Sequence, residues 1–260
     1  MHEGALVTGG SRRLGKAIAI ALARRGLNIV IQYCHAEDDA KQTVAELRTY
    51  GVRADALRAD FSREGEVESL IAAASELLAS PLNLLVNNAA VFSRDHIMDA
   101  RRSGWDSHIE TNLRAPFVLT QKFAQQAPPA SISGDELKAH SSIINIVDQR
   151  VVRPTSEFAT YTISKMGLWA LTQMTAVALA PDIRVNAIGP GPVLIAAEQS
   201  DEHFAWQRAS NPLRRGADVE EVVAAMTMFL DSPSVTGQLI CIEGGRNLNW
   251  QSAARQHGAP

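Results

Sequence analysis

The stretch that decides the fold is Ala5-Leu6-Val7-Thr8-Gly9-Gly10-Ser11-Arg12-Arg13-Leu14-Gly15, which leads into an amphipathic run ending near Arg25. A short apolar run, a glycine-rich turn and a helical pattern together open a βα unit. In such a turn, backbone N–H groups and the helix N-terminus converge on one point and suit a pyrophosphate. A glycine turn also serves as a tight connection without any ligand. Its place between the first strand and the first helix favours the phosphate.

Outward from this turn, short apolar runs alternate with longer amphipathic stretches along the whole chain. The runs are Ala5–Thr8, Asn28–Tyr33, Ala54–Asp60, Leu82–Asn88, Ser142–Asp148, Ile183–Ile188 and Gln238–Glu243. Between them lie Leu14–Arg25, Ala36–Tyr50, Glu64–Leu78, Trp105–Gln126, Tyr161–Leu179 and Val219–Leu230. Several runs are apolar at nearly every position, as in strands covered on both faces. Asp218 and Glu221 read as an N-cap and its reciprocal acid before the last helix. The alternation predicts an α/β class: one doubly wound domain over residues 1–260, a seven-stranded parallel sheet with helices on both faces. Residues 128–140, polar and carrying Pro, Gly and Ser, read as a surface loop. The tail after Gly245 has no periodicity and is expected to fray or to serve in subunit contacts.

Apolar residues make up 46% of the chain and charged ones 20%, with a formal net charge of -3. That balance gives no reason to expect nucleic acid or an anionic membrane as partner. The two cysteines, Cys34 and Cys241, have no CxxC or metal-ligand spacing, so reduced thiols and no metal are expected. The residues before Ala5 are too few for a signal peptide. The apolar stretch from Leu168 to Ala180 is broken by Thr172, Gln173 and Thr175, which argues against a bilayer span. A soluble, cytoplasmic chain is expected.

Arg12 and Arg13 put two cations in the phosphate turn. An NAD site would carry an acid near the end of the second strand to bind the ribose 2′-OH. That strand ends Ile31-Gln32-Tyr33-Cys34-His35, without one, so NADPH/NADP is expected. Glu37 and Asp38 lie slightly beyond and read as the acidic first turn of a helix. Asp60, ending the third strand, either accepts from an adenine amino group or serves as a helix cap for the next segment. Further on, Tyr161 and Lys165 stand one helical turn apart and share a helix face. A phenol with a pKa near ~10 exchanges protons poorly at neutral pH unless an ammonium stabilises its phenolate.

With these residues in place the chain resembles the short-chain dehydrogenase/reductase family from Val7 to about Leu248. The glycine turn, Asn87-Asn88-Ala89, Asn112, the Tyr161/Lys165 pair and Pro190-Gly191 fall in that family's order and spacing. The resemblance implies a single Rossmann-like domain and a nicotinamide redox reaction. Tyr161 would donate the proton, Lys165 would lower its pKa and hold the ribose, and Asn112 would order a relay water. Gly9, Ser11, Arg12, Arg13 and Leu14 would face the dinucleotide from the first turn. His35, Asp60 and Phe61 would face its adenosine end, and Asn88, Ala89, Pro190, Gly191 and Val193 its remainder. The resemblance also implies a homotetramer, with the Trp105–Gln126 and Tyr161–Leu179 helices at one interface.

Two departures refine the reading. The family's usual serine, thirteen residues before the tyrosine, is here Asp148. A carboxylate cannot donate to a carbonyl and repels a developing alkoxide, so it suits a substrate presenting N–H groups. Arg13 stands where the family's turn has its middle glycine. Together these features resemble the pteridine reductase branch, which includes dihydrofolate- and dihydromonapterin-type reductases. Phe92 falls where that branch places an aromatic ring, although a phenylalanine at a strand end is also an ordinary core residue. That branch often has a serine where Ala90 stands here, and a basic–hydroxyl pair at His35-Ala36. The expected chemistry is hydride transfer to a pteridine C=N carbon, with Tyr161 protonating a ring nitrogen and Asp148 sharing that proton. Arg13 would face both the pyrophosphate and the pterin's oxygen edge. Residues 194–217 read as a substrate lid, with Trp206 reaching the ligand. Two other functions stand beside this one: an NADPH-dependent carbonyl reductase acting on 3-oxoacyl thioesters, and a non-catalytic dinucleotide sensor.

Overall fold

The first strand, β1 (Gly4–Val7), is buried along its whole length and lies inside a seven-stranded sheet, third from one edge. The computed structural model describes residues 3–195 and 199–248. The tail from residue 249 and residues 196–198 of the expected lid lie outside the described residues.

The chain continues α1 (Arg13–Arg24), β2 (Asn28–Tyr33), α2 (Glu37–Arg48), β3 (Ala54–Arg58), α3 (Glu64–Leu78) and β4 (Leu82–Asn87). A helical stretch comes next as α4 (Arg102–Ile109) and α5 (Ala115–Gln126), then β5 (Ser131–Ser133), β6 (Glu136–Lys138) and β7 (Ser141–Ile146). Last come α6 (Ala159–Ala178), β8 (Ile183–Pro190), α7 (Asp201–Ala209), α8 (Val219–Asp231) and β9 (Leu239–Ile242). The sheet order is β3-β2-β1-β4-β7-β8-β9, and every pairing within it is parallel. This is the doubly wound α/β architecture that the alternation of runs predicts.

Strand alternation sorts the core into two layers. Ala5, Val7, Ile29 and Ile31 point to one face and pack with Ile18, Leu22, Leu47 and Phe229 from α1, α2 and α8. Leu6, Val30 and Leu85 point to the other and meet Leu70, Ile71, Leu119 and Phe123 from α3 and α5. Each fully buried leucine or phenylalanine stabilises the fold by about 1.5–3 kcal/mol, so both faces of the sheet are held firmly under the turns at its ends. No helix of the described residues is long and apolar enough to cross a membrane.

Three segments depart from the expectations. Residues 128–140 are not only loop: β5 and β6 form a small antiparallel hairpin whose residues are all exposed, so no buried face gave it a period. The Trp105–Gln126 stretch is interrupted by a π-helical turn over Glu110–Arg114. Such an extra residue per turn is commonly kept at functional sites, and here it presents Asn112. The expected lid contains α7, which buries none of its residues; Ser200 caps it by accepting from the His203 N–H at 3.2 Å. The N-cap at α8 is as predicted, with the Asp218 N–H donating to Glu221 at 2.8 Å.

Candidate active site

The strand order reverses at β1, between β2 and β4, and a crevice opens at the carboxyl ends of these strands, where doubly wound folds bind ligands. The turn from Thr8 to Gly15 sits on this edge beside Asn88 and Ala89. The Thr8 hydroxyl accepts from the N–H groups of Asn88 (2.9 Å) and Ala89 (3.0 Å). The Asn88 amide donates to the Thr8 carbonyl at 2.9 Å and the Gly9 carbonyl at 3.3 Å. Asn88 therefore shapes the turn with the groups that were expected to line the ligand. A Cβ on Gly15 would lie 2.1 Å from the Gly9 carbonyl oxygen and 2.6 Å from the Asn88 amide nitrogen, so only glycine lets α1 start this close to the strand. Gln32 ties the neighbouring strand ends together, accepting from the Gly9 N–H at 2.9 Å and donating to the Ala59 carbonyl at 2.7 Å. The buried Ser11 accepts at its carbonyl from Thr43 at 2.8 Å.

Arg12 is exposed at the start of α1. Arg13 adopts a left-handed backbone with φ 53°, a conformation natural for the glycine expected there and costing a side-chain-bearing residue about 1–2 kcal/mol. Its guanidinium donates to the Ile195 carbonyl at 2.6 Å, at the start of the expected lid. Leu14 packs against the first core layer. His35 is exposed, with its Nε2 3.3 Å from Cys34 Sγ; burial pushes the Cys34 thiol up. Asp60 does not cap the next helix, whose N-cap residue is Arg63; its Oδ1 closes a local turn instead, accepting from the Ser62 N–H (3.0 Å) and hydroxyl (2.8 Å). The Ser62 N–H, helped by the hydroxyl, holds that carboxyl below its usual range. The Phe61 ring belongs to the second core layer, leaving only its backbone for a ligand. Pro190 ends β8. The Gly191 N–H donates to Ile242 at 2.8 Å, and a Cβ there would sit 2.8 Å from that of Glu243. Val193 packs on the first core layer.

Beyond β7 the chain places Asp148 at the N-cap of a 3-10 turn, Gln149–Val151. Its Oδ1 accepts the Arg150 N–H at 2.8 Å, and Arg150 Nη1 reaches both carboxylate oxygens at 3.3 and 3.2 Å. Tyr161, in the first turn of α6, donates its hydroxyl to Asp148 Oδ2 at 3.1 Å. Lys165 is buried below it, 5.9 Å from the Tyr161 ring centroid, with its ammonium donating to the Ile146 carbonyl at 2.7 Å. Burial pushes the Tyr161 phenol well above its ordinary pKa and the Asp148 carboxylate pushes it further, while Arg150 opposes them. Burial lowers Lys165 to about 8, with Asp148 partly offsetting it. In this arrangement the aspartate, not the lysine, holds the phenolic proton, which differs from the expected role of Lys165. Asn112 does not touch Tyr161 directly. Its amide donates to the Val91 carbonyl (3.0 Å) and to Ser164 Oγ (3.1 Å) and accepts from the Val91 N–H (2.8 Å). Ser164 in turn donates to the Tyr161 carbonyl at 2.6 Å.

Aromatic groups surround the phenol. Phe92 meets Tyr161 edge-on at 4.8 Å and stacks on Phe158 at 4.5 Å with a 10° interplanar angle. It stays 46% exposed, which leaves room for a planar ligand. The Arg150 guanidinium lies over Phe158 at 4.8 Å and Phe92 at 5.7 Å. Behind the phenol stands the buried His108, 5.9 Å from the Tyr161 ring. Its Nδ1 is 2.7 Å from Thr160 Oγ1, which itself donates to Asp95, so His108 Nδ1 carries the proton and Nε2 accepts from the Ser93 N–H at 3.3 Å. Burial lowers the His108 pKa, which keeps the ring neutral.

Asp148, Tyr161, Lys165 and Phe92 are thus brought together, with Asn112 supporting them from the π turn. Trp206 is not part of this group: half exposed on α7, it packs against His203 at 5.8 Å. Phe158, Arg150 and His108 were missed in the sequence. Asp-x-Arg after a strand is a recognisable Asx-turn pattern that would have found Arg150, whereas no local pattern marks Phe158 or His108.

Comparison with known proteins places the chain among nicotinamide-dependent reductases by sequence and fold. A family model described as enoyl-(acyl carrier protein) reductase matches residues 9–247. A 3-oxoacyl-[acyl-carrier-protein] reductase of Staphylococcus epidermidis is 32% identical over 253 residues, covering 94% of this chain and 99% of that protein. Among solved structures, the FolM alternative dihydrofolate reductase 1 of Brucella suis, in complex with NADP, is 36% identical with a TM-score of 0.89 over 97% of this chain and 98% of that one. Its Brucella canis counterpart, also complexed with NADP, is 34% identical with a TM-score of 0.87 over 97% of both chains.

Proposed function

This chain belongs to the short-chain dehydrogenase/reductase family, and from that premise we propose that it is an NADPH-dependent reductase of a pteridine or dihydropteridine. The observation that carries the substrate class is Asp148, in the place of the usual hydroxyl and accepting from Tyr161 at 3.1 Å. An acceptor-only group beside the proton donor matches a ring that offers N–H groups and receives a proton on nitrogen. Phe92, with one face on Phe158, offers its remaining surface to a flat heterocycle. The NADP-bound dihydrofolate reductase neighbours support both halves of the reading.

When bound, NADPH would supply the hydride. Tyr161 gives its proton to the ring nitrogen, Asp148 accepts from the substrate's N–H edge, and the buried Lys165 would hold the ribose of the bound cofactor and offset the negative charge left on the phenol oxygen. Asn112, fixed to Val91 and Ser164, orders a water behind Lys165. Arg12 and His35 take the adenosine phosphate, and Arg13 the pyrophosphate once it leaves Ile195. Residues 194–217 close over the substrate, with Trp206 brought inward by that closure. The chain would assemble as a homotetramer through α5 and α6, where Phe117, Ile163, Met166, Met174 and Val177 are exposed.

The staphylococcal relative favours a second reading, reduction of a 3-oxoacyl thioester. NADPH oxidation by the purified chain separates the two, with dihydrobiopterin and dihydrofolate set against an acetoacetyl thioester and NADH run in parallel. Pterin turnover with NADPH preferred supports the proposal; thioester turnover alone rejects it. Tyr161→Phe should abolish turnover and keep NADPH binding, whereas a sensor would turn over nothing in either form.

A further inference from the structure

The group best placed to control Asp148 is one that the reaction itself does not use. An aspartate carboxylate rotates easily about its last bond, because that torsion has broad wells. The Asx turn to the Arg150 N–H, 2.8 Å from Oδ1, fixes one oxygen only. The plane of the carboxylate becomes fixed when Arg150 Nη1 contacts both oxygens, at 3.3 and 3.2 Å, leaving Oδ2 turned toward the Tyr161 hydroxyl.

The guanidinium is itself held. It lies over Phe158 and Phe92, whose rings stack nearly parallel, and a planar cation gains most from this placement. Phe158 reaches that position through a left-handed backbone, φ 59°, with its N–H donating to the Asp95 carbonyl at 2.8 Å just before α6 begins. One chain of contacts therefore runs from Asp95 through Phe158 and Arg150 to Asp148 and Tyr161.

Fold stability does not account for this arrangement. The Asp148 and Arg150 side chains are only 13% and 17% exposed, and Arg150 Nε is buried with no hydrogen-bond partner among the described residues. A nearly buried ion pair with an orphaned donor is weak evidence of a stabilising role, because desolvation offsets its attraction.

We infer that Arg150 is a positioning and specificity residue: clamped on Phe158 and Phe92, it orients the Asp148 carboxylate as an acceptor for the N–H edge of the substrate. The choice of substrate rests on the pteridine reading above; the clamp does not.

The test is a double-mutant cycle on the full chain with NADPH, using Arg150→Gln, Asp148→Asn and the pair. Arg150→Gln should lower kcat/KM for dihydrobiopterin about 30-fold, the loss expected when a charge-assisted contact is removed. The loss should fall mainly on the pterin KM, with the NADPH KM unchanged. In the Asp148→Asn background the same substitution should cost less than about threefold, because residues acting through one another are non-additive. Arg150→Lys, which keeps the charge and loses the planar fork, should recover only part of the activity. Equal losses in both backgrounds, an unchanged pterin KM, or a matching loss of NADPH affinity overturns the inference. Should Arg150→Gln not fold, a wild-type pterin KM in Arg150→Lys does the same. If the wild type reduces only the thioester, the pteridine reading fails and the cycle, run on the thioester, still decides the clamp. A chain that reduces neither substrate overturns both.

Discussion

The Tyr161 hydroxyl is directed at Asp148 Oδ2, 3.1 Å away, while the Lys165 ammonium beneath it is bonded to the Ile146 carbonyl at 2.7 Å. The phenol is thereby kept protonated and aimed, and its pKa is raised rather than lowered. A phenol in this state is a poorer proton donor than a free one, so transfer to a ring nitrogen would rely on the basicity that nitrogen gains during the reduction. Lys165, lowered to about 8 by burial, is a desolvated cation available to a ligand that enters the crevice.

Restoring the usual hydroxyl should reverse this electrostatic arrangement. Asp148→Ser removes a nearby negative charge and a hydrogen-bond acceptor, so the Tyr161 pKa should move down toward its ordinary value, though burial keeps it above. Phenolate absorbance recorded against pH, with Tyr161→Phe as the blank, measures the shift. Pterin kcat/KM should fall about 100-fold, within the range for removing a positioned polar partner, while thioester reduction should not fall in parallel.

Lys165 should cost the fold stability. Its folded pKa of about 8 lies below the ordinary lysine value of 10.5, so between these limits the unfolded chain binds the extra proton and stability rises with pH. Below pH 8 the full cost is present. Lys165→Met is therefore expected to be inactive yet more stable than wild type at neutral pH, by up to about 3 kcal/mol. The gap should close as pH rises toward 10.5. Urea unfolding of both proteins across that range checks the sign.

Gly15→Ala should damage the cofactor turn. The new methyl would meet the Gly9 carbonyl at 2.1 Å and the Asn88 amide at 2.6 Å, and backbone must shift. A loss of about 1–3 kcal/mol in stability is expected from overpacking, together with NADPH affinity weakened more than tenfold as the N–H groups of the turn move out of line. Fluorescence titration with NADPH and thermal unfolding read the two effects.

Cofactor choice should rest on exposed cations. Arg12→Ala is expected to lower the ratio of NADPH to NADH efficiency about tenfold through loss of a charge-assisted phosphate contact. The difference should shrink at high salt, because the group is exposed and screened. An unchanged ratio would assign the phosphate to His35 or to another group.

The residues proposed to carry chemistry could be read without a structure because each sits at a fixed distance from an element's end or from its partner: Gly9 and Gly15 around the first helix start, Asp148 after β7, and Tyr161 and Lys165 one turn apart. The sheet was equally readable, since seven short runs alternate with helical stretches and several are apolar at nearly every position, as in strands buried on both faces. The hairpin at Ser131–Lys138 and helix α7 bury nothing, so they left no periodic trace. The π turn at Asn112 kept a helical pattern while adding a residue.

Which groups touch was decided by tertiary structure alone. Phe158 comes to Phe92 from 66 positions away, and His108 on α4 to Thr160 on α6 from 52, through tertiary packing that no local propensity encodes. The direction of the Tyr161 proton depends on whether Asp148 or Lys165 lies nearer its oxygen, a matter of ångströms set by the Arg150 clamp and the depth of α6 in the core. Sequence spacing determined the identity and order of the reacting groups. Three-dimensional packing determined their charge partners, because electrostatic interactions vary with distance and burial and not with position along the chain.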